Sequence, residues 1–273
     1  MAAITSLAAE LRYRIDAFGQ QLVGAGSYLQ AVVDGDRLLK LELQTRVGNR
    51  PATLIEVRGR SKLDEASDFY WVRRDVPPEP PKVWRVNLRD LRSAEMTPPE
   101  PSSPPGALAG VSSMLGGLPQ LLASLDQNFA FDAPTADELQ FRGADGQAKA
   151  VPVWKLTGRW KSERLSALTG RDAAKSSEIP EQLPQRVELI LNRSQAIPPL
   201  FPCRITFWRA AGKKGKQPAA GSGQRELLTL EFFHIDPQAK IELAQFSFNA
   251  GDADVENRTE RYKQRFSGGT VLR

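Results

Sequence analysis

The chain has 273 residues, 41% hydrophobic and 25% charged, a balance that excludes a disordered polypeptide. A single cysteine, Cys203, and a single histidine, His234, exclude an internal disulfide, a multi-cysteine zinc site and any His-rich metal centre. No run reaches the ~18–20 apolar residues of a membrane-spanning helix, and 37 Lys+Arg against 32 Asp+Glu give a formal +5, a weak field for a chain of this length.

Met1 to Ala9 has neither a basic n-region nor the roughly 7- to 15-residue apolar core of a secretory signal. Leu11, Tyr13 and Ile15 then alternate with Arg12, Arg14 and Asp16, the pattern of a strand with one buried face. The phase slips at Ala17-Phe18 beside Gly19, which implies a bulge or bend. A long β segment follows from Gln20 to Val33 with Gly24 and Gly26 inside it. From Leu39 to Val47 the alternation is unbroken. Further strands are expected at Thr53–Arg60, Phe69–Arg74, Lys82–Leu88, Val151–Trp160, Arg186–Asn192, Arg204–Arg209, Glu226–Ile235 and Ile241–Asn249, separated by turn residues such as Asp34-Gly35-Asp36 and Asp236-Pro237. About eleven strands without regular strand–helix alternation imply an antiparallel meander rather than a doubly wound fold.

Two segments interrupt the meander. A Pro-rich loop occupies 97–105. Over 106–127, Leu108, Val111, Leu115, Leu118, Leu122 and Leu125 recur at helical spacing. Gly116-Gly117 and Pro119 divide this stretch into two short helices, with Pro119 in the first turn of the second. Its other face carries no charge between Glu100 and Asp126, unlike a solvated helix. The helical pair is therefore either sandwiched or a weakly anchored cover. A further short helix is expected at Ser162–Thr169, and 212–224, with Lys213-Lys214-Gly215-Lys216, reads as a flexible loop.

No catalytic constellation is visible. A Ser-His-Asp triad has only His234 to run through, and that residue sits inside an alternating strand. Cys203 reads as a buried thiol. Gly116-Gly117-Leu118 lacks the lysine of a phosphate loop, and the Asp252, Asp254, Glu256 run lacks the pattern of a calcium loop. Neither a cofactor, a metal nor a nucleic-acid partner is implied. What the chain does have is a surplus of large apolar groups in strands, with little helix to cover them. A hollow apolar face under an uncharged helical cover is a site for lipid. The alternative is a packed β-sandwich module that binds an anionic partner through its basic loops.

The order of these features resembles the outer-membrane lipoprotein carrier (LolA/LolB-like) superfamily of bacterial periplasmic proteins. Arg12–Gln30 is similar to its first strand pair, and Val83-Trp84-Arg85-Val86-Asn87-Leu88 to a later strand after a bulky aromatic. The interruption at Gly106–Gln127 stands where the lid helices lie, and the run to Ile241…Phe246-Ser247-Phe248 resembles the final hairpins. The resemblance implies a mainly β, single-domain fold over 1–273: one curved antiparallel sheet, a half-barrel of about eleven strands, with a short helical lid. It reduces the helix before the first strand to about Thr5–Glu10. It also implies a non-enzymatic monomer that binds lipid or the acyl chain of a lipoprotein and meets other envelope proteins. The compartment would be periplasmic or envelope-associated, its signal peptide removed or missed. Acyl chains would lie on Tyr13, Ile15, Leu41, Leu43, Trp84, Trp154, Phe232 and Phe246, with Leu115, Leu118 and Leu122 above them.

Overall fold

The alternating segments of the first third pair in chain order. In the computed structural model, which describes residues 6–17, 20–33, 35–47, 50–61, 64–93, 117–142, 148–169, 179, 183–194, 200–210 and 224–267, six strands form an antiparallel meander. They are β1 (Ser6–Ala17), β2 (Gln20–Val33), β3 (Asp36–Val47), β4 (Arg50–Ser61), β5 (Asp64–Asp75) and β6 (Lys82–Asn87). Helices α1 (Leu88–Ser93) and α2 (Gly117–Asn128) follow. The chain then adds β7 (Phe129–Phe131), β8 (Thr135–Arg142), β9 (Ala148–Trp160), α3 (Ser162–Thr169), β10 (Arg186–Asn192), β11 (Pro202–Ala210) and β12 (Gln224–Asp236). A 3-10 turn (Leu243–Phe246), β13 (Val255–Asn257) and α4 (Thr259–Ser267) close it.

All thirteen described strands belong to one sheet. Its order is β13-β6-β5-β4-β3-β2-β1-β12-β11-β10-β9-β7, with β8 also on β9. Every pairing is antiparallel except β13 on β6. The sheet is open, mainly antiparallel and accompanied by short helices, as the sequence implied. The described strands thus form one sheet and not the two separate sheets of the alternative reading.

The path through the sheet sets up everything that follows. The meander starts at β1 in the middle and walks outward to β6. The chain then crosses to the far side, and β9 to β12 walk back until β12 pairs with β1. That crossover carries α2 over one face of the sheet. Gly24 and Gly26 shape that face. A Cβ on Gly24 would lie 2.4 Å from the Tyr13 ring, and one on Gly26 would lie 1.8 Å from the Glu42 carbonyl oxygen. β2 therefore approaches its neighbours more closely than any side-chain-bearing residue permits.

Of the four apolar clusters among the described residues, three bear on this face and its surroundings. The largest lies on the inner face under α2. A second, on the same face at the β5–β6 end, gathers Tyr70, Val72, Val86 and Leu91, with Leu88 and Tyr262 from the helices packed on it. The third lies on the outer face, where the 241–248 segment packs against Ala31, Leu38 and Val57.

Several expectations change. Residues 6–10 begin β1 instead of forming a helix, because Leu7 and Ala9 continue the buried alternation of Leu11 and Tyr13. The Ile241–Asn249 segment is not a strand. Its apolar residues are an anchoring row laid across the outer face, where Phe248 stacks on Trp71 at 5.0 Å. Sequence reading also missed β7, β8, β13, α1 and α4. The 97–105 loop, the first lid helix over 106–116 and most of the 212–224 loop lie outside the described residues.

Candidate functional site

The inner face is built from every second residue of its strands. The register aligns Leu11, Gly26 and Leu43 across β1, β2 and β3, and Tyr13, Gly24 and Thr45 in the next row. From the other half, Leu11 faces Phe232, Tyr13 faces Leu230 and Ile15 faces Leu228 on β12, and Ile205 faces Leu230 from β11. Pairing partners point to the same side of a sheet, so these residues form one continuous apolar surface. Burial of such a surface stabilises at roughly 25 cal/mol per Å². It therefore needs a cover.

α2 is that cover. Its Leu118, Leu121 and Leu125 are at most 4% exposed and pack into the inner cluster, with Leu122 half-buried beside them. Apart from Asp126 the helix carries no charge, so little ties it to solvent or to ionic partners. Its C-terminal end is fixed. The Lys161 N–H donates to the Asn128 carbonyl at 2.9 Å, the Lys161 ammonium donates to the Asp126 carbonyl at 2.6 Å, and Asn128 leads directly into β7. At its N-terminal end, Leu118 and Leu121 pack into the cluster and Tyr28 supplies a side-chain hydrogen bond. The Leu118 N–H donates to the Tyr28 phenol oxygen at 3.0 Å, and the Tyr28 hydroxyl donates to Gln30 Oε1 at 2.7 Å. Burial pushes the Tyr28 phenol up to about 12, against the opposing pull of the Leu118 N–H. It stays neutral, able to accept and donate at once. The helix is thus hydrogen-bonded to the rest of the protein at both ends.

The structure sorts the residues expected to line the site. Tyr13, Ile15, Leu41, Leu43 and Phe232 meet in the cluster beneath α2, and Leu118 and Leu122 come down on it. Leu115 lies outside the described residues. Trp84 is on the inner face but in the neighbouring cluster, with the Arg258 guanidinium 4.3 Å above its ring. Trp154 is half-buried and capped by Arg193 at 5.0 Å. Phe246 lies on the opposite face, because the segment that carries it packs across the outer side. Sequence reading missed Leu121, the better buried of the two adjacent leucines, and Tyr28, which sits among Gly24, Gly26 and Ser27 where small residues blur the alternation.

Besides Gln30 on β2, buried polar groups interrupt the inner face toward β4 and β5. Glu56 is 5% exposed, and burial pushes its carboxyl up to about 7, while a hydrogen bond from Tyr70 opposes that rise. Burial also raises the Tyr70 phenol, helped by the Glu56 charge. Arg58 lies two residues on and donates to Asp68 at 3.2 Å. On the other side of the sheet, His234 is exposed and faces Glu10 at 3.2 Å. Cys203 is buried in a small cluster with Leu139, Val153 and Ile190, and burial pushes its thiol up to about 11. Among the described residues, no group of three His, Cys, Asp or Glu side chains is placed to hold a metal ion, and no helix is long and apolar enough to cross a membrane.

No protein-family model matches the sequence, and no curated protein matches it. Among solved structures, the chain is similar to a DUF1329 family protein from Desulfovibrio piger, at 11% identity over 89% of this chain and 90% of that one, with a TM-score of 0.33. It is also similar to a Vibrio parahaemolyticus domain named as an outer membrane lipoprotein-sorting protein, at 10% identity over 90% and 91% of the two chains, with a TM-score of 0.25.

Proposed function

We propose that the chain is a non-enzymatic, monomeric binder and carrier of lipid or lipoprotein acyl chains in the bacterial cell envelope. The observation that supports this reading is a continuous apolar sheet face covered, among the described residues, by one short helix that is hydrogen-bonded at Asn128 and at Tyr28. The cover carries one charge and is held mainly by apolar contacts that an acyl chain can replace. Lifting α2 exposes Tyr13, Ile15, Leu41, Leu43 and Phe232 together, and an acyl chain laid on them replaces the leucines of the helix. Each buried methylene contributes about 0.8 kcal/mol, so a long chain binds without a charged anchor.

The test is native mass spectrometry of the protein purified from cells, followed by titration with the neutral apolar fluorophore N-phenyl-1-naphthylamine. Co-purifying acyl lipid, and fluorophore binding that extracted lipid reverses, are the expected results. A protein that carries no lipid and leaves the fluorophore dark overturns the reading.

A further inference from the structure

Three buried polar atoms on the inner face of β4 and β6 have no hydrogen-bond partner among the described residues: Glu56 Oε2, Arg58 Nε and Trp84 Nε1. The register brings them to one place. Glu56 stands opposite Val72, and Val72 opposite Trp84, so the carboxyl and the indole flank one valine in a single row. Arg58 is the next inward residue of β4, opposite Tyr70. Unpaired polar atoms are uncommon in protein interiors, because each loses its hydration without compensation. Two donors and one acceptor on neighbouring inward positions of one face are the complement of a small polar group that reaches across them. Glu56 and Trp84 are two strands apart, roughly 9–10 Å at the usual strand spacing. A single water does not span that gap, whereas a group the size of glycerol does.

The charges of the patch decide what kind of group. The Arg58 guanidinium is already paired with Asp68 at 3.2 Å, and Glu56 adds a carboxyl. No unbalanced positive charge remains for an anion. Leu41 stands opposite Glu56 on β3, and Leu54, one inward position away on β4, packs on both inner clusters. A chain attached to a head held here runs directly onto the face beneath α2.

We propose that this patch receives the uncharged head of an acyl ligand, an ester or glycerol hydroxyl group, in preference to a fatty-acid carboxylate or a lipid phosphate. Arg58 Nε–H and Trp84 Nε1–H donate to its oxygens, and Glu56 Oε2 accepts from its hydroxyl. This rests on the acyl-binding reading and adds the class of head group to it.

The experiment titrates the full chain, loaded with N-phenyl-1-naphthylamine, with 1-monooleoylglycerol and separately with oleate at pH 8. The glycerol ester should displace the fluorophore at roughly tenfold lower concentration, the factor given by two hydrogen bonds of ordinary strength. Trp84→Phe, which keeps an aromatic surface under Arg258, and Glu56→Leu should each erase most of that preference while oleate binding holds or improves. Equal displacement by the two lipids, a preference for oleate, or a tenfold preference that survives both substitutions overturns the head-group assignment alone. If the fluorophore itself does not bind, the acyl-binding reading falls and this inference with it.

Discussion

Two side chains carry opposite risks in this protein. Tyr28 accepts from the first turn of α2 and donates to Gln30. Tyr28→Phe removes both bonds and leaves the Leu118 N–H unpaired, which should cost about 1–3 kcal/mol. Hydrogen exchange at residues 118–125 should accelerate while that of β10 stays unchanged. Glu56 behaves in the reverse sense. Burial pushes its carboxyl up to about 7, from an ordinary value near 4.5. Between those values the native state holds a proton that the unfolded chain has lost. Stability is therefore fully present below about pH 4.5, declines by up to roughly 3 kcal/mol through pH 7, and levels off above it. Glu56→Gln should flatten that slope and make the protein more stable than the parent at pH 8, as read from urea midpoints at pH 5 and pH 8. Neither residue was legible in the sequence. Glu56 lies between Ile55 and Val57, whose side chains suggest the opposite face as the core. In fact both faces of β4 are covered.

At the scale of the element, α2 is the part most sensitive to substitution. Leu121→Ala removes a side chain 2% exposed and should cost about 2–4 kcal/mol. Leu122→Ala, half-buried, should cost less than half of that, and urea denaturation distinguishes the two. The sequence showed a leucine-rich helix ending near residue 127, because a 3–4 spacing admits few other structures. It did not show which of two adjacent leucines turns inward, since both fit an apolar stripe within one residue of each other. Strands such as β3 were legible because Leu39, Leu41 and Leu43 face a dry side and Lys40, Glu42 and Gln44 a wet one. β13 was not, because its three residues are exposed and follow no period. The 241–248 segment was misread for a related reason: Ile241, Phe246 and Phe248 are spaced like a strand yet serve as anchors on a surface already made.

For the whole molecule, the joint between β1 and β12 matters most. It runs from Ala8↔Asp236 to Ile15↔Leu228, and it is clamped where buried Asp16 pairs with Arg225 and with Arg209 at 3.6 Å. Both halves share one inner cluster, so neither has a complete core alone. Trp71 and Trp84 report on the first half, and Trp154, Trp160 and Trp208 on the second. Single-tryptophan variants from the two halves should unfold in urea at the same midpoint. Two separated transitions would show that the halves fold independently.

The connection from β6 to β7 that brings α2 over the sheet is one of two covalent links between the halves; the other runs through 237–254 from β12 to β13 on β6, and the strands also meet at β1 and β12. Peptide-bond continuity there is therefore separate from structural continuity. A chain cut between Ser93 and Gly117 yields two fragments that remain interlocked through a ladder of backbone hydrogen bonds and a common interior. They should elute as one particle and part only in denaturant. Such a nicked form would keep its sheet intact while freeing one end of the lid from its tether. It is a direct way to ask whether the connector merely joins the halves or also limits how far the cover can swing.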